Sequence, residues 1–376
     1  VGPVDELSVP DSVQSVLAAR LDGLPADEKR IAQEASVVGR IFWDAVVAHL
    51  RAKPAADVAA LLRGLRVKEL VEPRTPSTMV GASEWAFHHV LVRDVAYESL
   101  PKADRGTLHR EVARWAEREL GDRGDEFAEL VASHLAAALR YAEELDGDGP
   151  GDARLIELRE VTMRAAERAA QRAAAVLDLE ATRRWQLVAI EQARRLGRPA
   201  RERARMASDF RSMVWHETDA AERVRVLAEG RQLLEPAAAL GGADLELWGE
   251  LGAGLAQATY EDGDGDAAQI ILEDAAETLR PSSPSAARAR VLQTLGWLLW
   301  HRFRFDAATP VVEEAIAESK ASGADDVYRW ALHEAGVLNG FLGDPDRGLE
   351  LLGRSYELAV EASDHALMTR CYVNIP

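Results

Sequence analysis

Four acids stand at the spacing of a calcium loop: Asp262, Asp264, Asp266 and Glu273 fall at positions 1, 3, 5 and 12 of an EF-hand. The sixth position of such a loop needs glycine for its sharp turn, and here it is Ala267. The same acids suit the end of one helix and the start of the next, where carboxylates cap free N–H groups, and that reading is preferred. Cys371 is the lone cysteine of 376 residues, which excludes an internal disulfide framework and a Cys-rich metal cluster. His109 and His134 lie on helical stretches with no Cys or carboxylate at ligand spacing and read as structural. No Ser-His-Asp or Cys-His arrangement can be assembled. No Gly-x-x-x-x-Gly-Lys-[Ser/Thr] loop occurs to cradle a triphosphate or position Mg²⁺. The chain by itself is therefore not expected to be an enzyme or to hold a cofactor.

The elements that would carry such residues are mostly helices. Pro10-Asp11-Ser12 opens one, Leu24-Pro25-Ala26-Asp27-Glu28 a second that Gly39 ends, and Phe42 to Leu50 and Ala55 to Leu65 are amphipathic. The period then changes. Leu70 to Arg74 and Glu84 to His88 read as strands around a Pro/Ser/Thr/Gly tip, and helix resumes from Val90 to Leu100, before Pro101. Helices followed by a two-stranded wing outline a winged helix. Two further helices between Lys102 and Leu145 are divided by Gly121-Asp122-Arg123-Gly124, and the Gly/Asp-rich run 146–152 is the clearest linker.

Beyond it the sequence repeats. Asp266-Ala267-Ala268, Asp306-Ala307-Ala308 and Asp346-Arg347-Gly348 recur every 40 residues, as do Leu255-Ala256, Leu295-Gly296 and Ala335-Gly336. Small residues at fixed offsets mark where paired helices approach, each pair burying its apolar face by stacking on its neighbours. Asp178 to Leu196 and Thr218 to Leu234 are earlier helices of that type. Trp248, Trp297, Trp300 and Trp330 fall in the first helices of the repeats, where packing is the default role and a peptide-binding surface would use one or two. The fold class is thus mainly α: a winged-helix module over 1–100 with a small β-hairpin, a helical connector and linker over 101–152, and an α-solenoid of tetratricopeptide-like helix pairs over 153–376. The pattern is still running at Ile375-Pro376, and the chain opens on Val1, so it reads as a piece of a longer protein. Leu349, Leu352, Tyr356 and Leu367 are expected to form an uncovered outer face, open to fraying or to pairing with a second copy of the chain.

Two stretches carry a resemblance. One is Val9-Pro10-Asp11-Ser12-Val13-Gln14 through Ala19-Arg20-Leu21-Asp22-Gly23-Leu24-Pro25 and Ala35-Ser36-Val37-Val38-Gly39-Arg40-Ile41-Phe42; the other is Phe87-His88-His89-Val90-Leu91-Val92-Arg93-Asp94-Val95-Ala96-Tyr97-Glu98-Ser99-Leu100-Pro101. With them, residues 8–145 resemble the segment that follows the ATPase core in STAND-type signalling ATPases, above all bacterial adenylate-cyclase-like and LuxR-like multidomain regulators. The repeats resemble tetratricopeptide repeats only generically. The resemblance implies a nucleotide-sensing role for His89, against the β-phosphate of ADP, with Arg93 and Asp94 in support, Leu91 and Ala96 also fitting the motif. Val90 stands where that motif has aspartate and His88 where it has methionine. An imidazole donor suits a phosphate sensor, its charge responding near neutral pH; the other reading is a histidine packed at the strand–helix junction and hydrogen-bonded to backbone.

Charge narrows the partners. The formal net charge is −18 with 29% charged and 47% hydrophobic residues, an ordinary globular composition that repels nucleic acid and anionic membranes. A DNA-reading helix would be Ala55 to Leu70, with Arg63, Arg66, Lys68 and, on the wing, Arg74. Yet residues 1–100 hold eleven Lys+Arg against fourteen Asp+Glu, and Val58, Leu61, Leu62 and Leu65 call for burial, so packing is preferred to DNA contact. The expected role is regulatory, in the reducing cytoplasm that a lone thiol fits. The repeats would sense a protein or small-molecule ligand, and the winged helix would couple to an upstream nucleotide-binding domain, with ATP/ADP and Mg²⁺, or cyclase chemistry, in the parent protein. The alternatives are a passive scaffold for protein partners and a winged-helix transcription regulator.

Overall fold

The structure, a computed structural model, describes residues 11–119, 126–146, 152–214 and 218–374. The Gly121–Gly124 divider and most of the 146–152 linker lie outside them. The chain forms two compact units, residues 1–177 and 178–376, whereas the sequence pattern alone places the start of the repeats at 153. Both units are mainly helical. Among the described residues no helix is long and apolar enough to cross a membrane.

The first unit runs α1 (Asp11–Asp22), α2 (Ala26–Val38), β1 (Ile41–Trp43), α3 (Asp44–Arg51), α4 (Ala55–Val67), β2 (Val71–Arg74), β3 (Glu84–Phe87), α5 (Val90–Glu98), α6 (Lys102–Glu119), α7 (Ala128–Asp146) and α8 (Ala153–Ala175). The expected hairpin is present: β2 pairs antiparallel with β3, Val71 opposite Phe87 and Arg74 opposite Glu84. A third strand was not expected. Ile41–Trp43, part of which the helical pattern assigned to the following helix, pairs antiparallel with the other side of β3, which is central and buried along its length. The Glu84 carboxylate ties the hairpin tip, accepting the Thr78 N–H at 3.0 Å and its hydroxyl at 2.6 Å, 3.2 Å from Arg74. These hydrogen bonds hold its pKa below the usual carboxylate range. Of the four α4 residues expected to be buried, Val58, Leu62 and Leu65 are wholly buried with Ile31, Phe42, Val46 and Phe87, while Leu61 is half-buried.

The second unit is an array of helix pairs: α9 (Leu179–Arg195), α10 (Ala200–Val214), α11 (Ala220–Gln232), α12 (Gly242–Glu261), α13 (Gly265–Leu279), α14 (Ala286–His301), α15 (Phe305–Ser322), α16 (Asp325–Leu342), α17 (Pro345–Glu361) and α18 (His365–Asn374). Helices α13, α15 and α17 begin at residues 265, 305 and 345, so the 40-residue period is structural. Each helix packs on its sequence neighbour, and α14 also packs on α12 and α16. One continuous core of leucine, alanine and valine runs from Ala204 to Leu338. The small residues sit at the closest approaches. A Cβ on Gly296 would lie 2.4 Å from Val312 Cγ2, and one on Gly336 2.7 Å from Leu352 Cγ. Starts follow the capping rule: Asp178, Asp219, Asp264, Ser285 and Asp344 each accept a backbone N–H from the first turn of their helix. The outer face of α17 departs from expectation. Leu352 is buried against Gly336 of α16, and Leu367 because α18 lies on α17 and closes a small cluster of Ala359, Leu367 and Cys371, while Leu349 and Tyr356 stay exposed.

Candidate functional site

In the first unit His89 stands at the junction of β3 and α5, an exposed side chain that caps the helix: its Nδ1 accepts the Leu91 N–H at 3.1 Å. With Nδ1 an acceptor, the neutral ring carries its proton on Nε2, at the surface, so cap and donor coexist in one tautomer. Arg93 and Asp94 are brought to each other at 3.0 Å. They are turned elsewhere: Arg93 Nε donates to the Ser36 carbonyl of α2 at 2.9 Å, and its guanidinium lies 4.7 Å above the Tyr97 ring. Among the described residues no contact joins either of them to His89. On α4, Arg63 and Arg66 are exposed and Lys68 is paired with Glu28 at 2.5 Å.

In the second unit the EF-hand-like acids are separated by use. Asp264 caps α13 through the Ala267 N–H at 2.9 Å, Asp266 pairs with Arg302, and Glu273 accepts from Gln269 at 2.7 Å. The next turn differs from its counterparts one repeat before and after. At a 40-residue offset, Gly263 and Gly343 end their helices with φ of +104° and +91°, and Phe303 holds the same place with φ of +56°. Asp264 and Asp344 cap the following helices, while at Arg304 no side chain caps α15. A left-handed non-glycine residue costs about 1–2 kcal/mol and a missing cap about 1 kcal/mol. What the turn presents instead is Phe303, 78% exposed.

Phe303 ends a chain of seven rings. It meets Phe305 edge-on at 6.1 Å; Phe305 stacks on Phe341 at 5.0 Å, and Phe341 on Trp300 at 6.4 Å. Trp300 lies 3.6 Å from His301, His301 4.4 Å from Trp297, and Trp297 5.3 Å from Tyr260. Phe341 is 59% exposed and the others from Tyr260 to Phe305 are half-buried. Burial pushes the His301 pKa down, and its Nδ1 bonds the Trp297 carbonyl at 2.8 Å, so the neutral ring presents Nε2 as an acceptor. Trp300 Nε1 donates to the buried Glu334, which fixes that ring. The rings are tilted or edge-on to one another along much of the run, and Phe303 and Phe341 are its exposed end. Such rings offer apolar and aromatic contact area, and His301 Nε2 a hydrogen-bond acceptor. Sequence reading treated Trp297 and Trp300 as packing by default; the missing signal was present, since aligning Asp262-Gly263-Asp264, Arg302-Phe303-Arg304 and Leu342-Gly343-Asp344 exposes the odd turn. Among the described residues no group of three acids, histidines or cysteines could hold a metal ion.

No protein-family model matches the chain, and no curated protein matches it. Solved structures do. One is a signal transduction ATPase with numerous domains carrying a tetratricopeptide repeat sensor, from Pyrococcus horikoshii, at 13% identity and a TM-score of 0.41; the match covers 99% of this chain and 56% of that one. The chain thus spans little more than half the length of that protein. Another is aspartyl phosphate phosphatase F from Bacillus subtilis, at 14% identity, covering 73% of this chain and 74% of that one, TM-score 0.44. A third is a Rap protein complexed with competence and sporulation factor, at 10% identity, covering 97% of each chain, TM-score 0.39.

Proposed function

We propose that this chain is the regulatory, partner-binding region of a nucleotide-switched signalling protein, and that its repeats bind a peptide or protein segment on the aromatic surface around Phe303. The observation that supports this best is the turn itself. Stability is given up at Phe303 and Arg304, in a register where the neighbouring repeats keep glycine and aspartate, and the product is an exposed ring continuous with six others. Leu177 and Ser363 hold left-handed turns as well, and what sets the Phe303 turn apart is that its exposed ring continues into a run of other aromatic rings. Peptides selected on the whole chain from a random display library should bind it, and Phe341→Ser should weaken them about tenfold or more, the loss of one aromatic anchor. Selected peptides indifferent to both Phe341→Ser and Phe303→Gly would end this reading.

The first unit is then the coupling element, read as a winged helix whose hairpin and α5 dock on a nucleotide-binding core upstream in the parent protein. Its sensor would be His89, supported by the tautomer that the cap imposes: Nε2–H is an exposed donor of the kind a phosphate oxygen accepts. In the parent protein, His89→Ala should speed ADP release about tenfold or more, the cost of one charge-assisted hydrogen bond. An unchanged ADP off-rate would leave the histidine a helix cap and nothing else. The isolated chain, lacking a phosphate-binding loop, should give no heat with ADP and Mg²⁺ in a calorimetric titration.

A further inference from the structure

We propose that Arg105, Tyr141, Tyr97, His109 and His134 form one hydrogen-bond relay of fixed polarity, ending on the Val38 carbonyl, which latches α7 to α2, α5 and α6 only while both imidazoles are neutral. The residues come from four helices, and the two histidines, 25 positions apart, are buried with their Nδ1 atoms 2.7 Å from each other. His109 Nε2 lies 2.8 Å from the Tyr97 hydroxyl, which lies 2.8 Å from that of Tyr141. At one end Arg105 reaches Tyr141 at 3.5 Å, its other nitrogens held by the Leu100 and Glu98 carbonyls at 2.9 and 2.7 Å. At the other end the Val38 carbonyl of α2 lies against His134 and favours a proton on the ring nitrogen that faces it.

The two ends decide every proton between them. A carbonyl only accepts, so His134 carries its proton on Nε2 and offers Nδ1 as a lone pair. His109 must then donate from Nδ1, which leaves its Nε2 to accept from Tyr97. Tyr97 in turn accepts from Tyr141, and Tyr141 from Arg105, which only donates. No other arrangement of single protons pairs each donor with an acceptor. A further proton has nowhere to go. On His134 it would set two N–H groups against each other across 2.7 Å. On His109 it would reverse both phenol hydroxyls and place a cation among the guanidiniums of Arg93 on α5, Arg105 on α6 and Arg140 on α7, which lie over the same tyrosine rings.

Charges on the remaining packed helices are occupied elsewhere. Glu34 of α2 pairs with Arg30 at 2.9 Å, His49 of α3 faces Glu111 at 3.8 Å, and Arg159 of α8 pairs with Glu143 at 2.7 Å. Burial first, then the neighbouring His134 and arginines, pushes His109 down to about 3; burial and Arg93 push His134 down to about 4. Both folded values lie below the ordinary value of about 6.5. The unfolded chain therefore takes up protons first, and the latch contributes stability above pH about 6.5 that drains away as the pH falls toward 4 and then 3.

The relay is tested on the whole chain with ¹⁵N-labelled histidine, reading long-range imidazole correlations at pH 7. His134 should carry its proton on Nε2 and His109 on Nδ1, and the opposite tautomer on His109 overturns the relay. Tyr97→Phe keeps the ring and removes the one donor to His109 Nε2. His134 still holds the His109 proton on Nδ1, so the tautomer should stay, while Nε2, left without its donor, should speed amide exchange around His134 about tenfold, the exchange equivalent of a buried hydrogen bond. Unchanged exchange in α7, or a His109 that changes tautomer when only Tyr97 is altered, would show two packed histidines without the link from His134 that fixes the proton.

Discussion

At the scale of single residues, Phe303 is the sharpest case, because stability and binding should move in opposite directions there. Phe303→Gly restores the residue that the turns before and after use at this φ, and Arg304→Asp restores a cap. The pair should raise stability by about 1–2 kcal/mol, visible as a higher denaturation midpoint with unchanged m-value, while selected peptides lose affinity. A midpoint that falls would mean Phe303 is a packing residue after all. Residues such as these divide by how far their partners lie in sequence. Asp264 was legible because a cap serves the helix it begins. His89 was legible as a residue of interest, and its cap role as one of two readings, for the same local reason. The relay could not be read, because His109 and His134 become neighbours only through the packing of α6 on α7, and nothing within three or four positions of either predicts the other.

At the scale of elements, the helices announced themselves by period and by small residues, and the close approaches show why those residues are small. Gly336→Ala should cost about 1–3 kcal/mol, since the added methyl meets both Leu352 and the Gly348 carbonyl of α17 at 3.0 Å or less. Gly353→Ala, on α17 but facing nothing within 4 Å, should instead stabilise by about 0.5–1 kcal/mol through helix propensity alone. Thermal unfolding of the two variants measures the contrast, and equal effects would refute the assigned approach. Helix α14 is fixed to α15 by a different device. The buried Arg288 pairs with Glu318 at 3.2 Å, and the Glu318 carboxylate also accepts the Ser283 hydroxyl and the Ser285 N–H at 2.7 and 2.9 Å. Glu318→Ala leaves Arg288 its second carboxylate, Glu314 at 2.5 Å, but strips the Ser283 hydroxyl and Ser285 N–H of their acceptor, and should cost about 1–3 kcal/mol, against about 0–1 kcal/mol for the exposed Arg354–Glu357 pair. Strand β1 escaped sequence reading for a physical reason: three residues are too few to display a period of two, and Phe42, which pairs with Trp85 across the sheet, also satisfies the helical pattern that follows it.

At the scale of the whole molecule, the 40-residue repeat made the array legible, and the array implies that stability is distributed unevenly along it. Each helix pair in residues 178–376 touches mainly its neighbours, so opening energies follow how much core each pair shares. From α12 to α15 the helices contribute to one continuous core, with Leu251, Leu272, Leu279 and Leu298 wholly buried. Helix α18 is held otherwise: only Leu367 and Cys371 are buried, in a separate cluster with Ala359, and Tyr372 and Val373 are 77% and 74% exposed. A ten-residue helix anchored by two side chains cannot offset the cost of ordering its own backbone by a wide margin, at about 1–2 kcal/mol per residue against about 25 cal/mol per Å² of apolar surface buried. Amide exchange should accordingly be slowest in α12 to α15, faster in α17, and fastest in α18, the gradient steepening in mild denaturant as α18 opens before its neighbours. Cys371 gives an independent reading of the same opening. It is buried against Ser355 at 3.5 Å, and burial raises its pKa, so a thiol reagent should reach it only when α18 lifts. Labelling of Cys371 should therefore match α18 exchange and exceed the global unfolding rate. Labelling no faster than global unfolding, with even protection through residue 370, would mean that the array opens as one cooperative block and that its small terminal cluster is bound as tightly as its core.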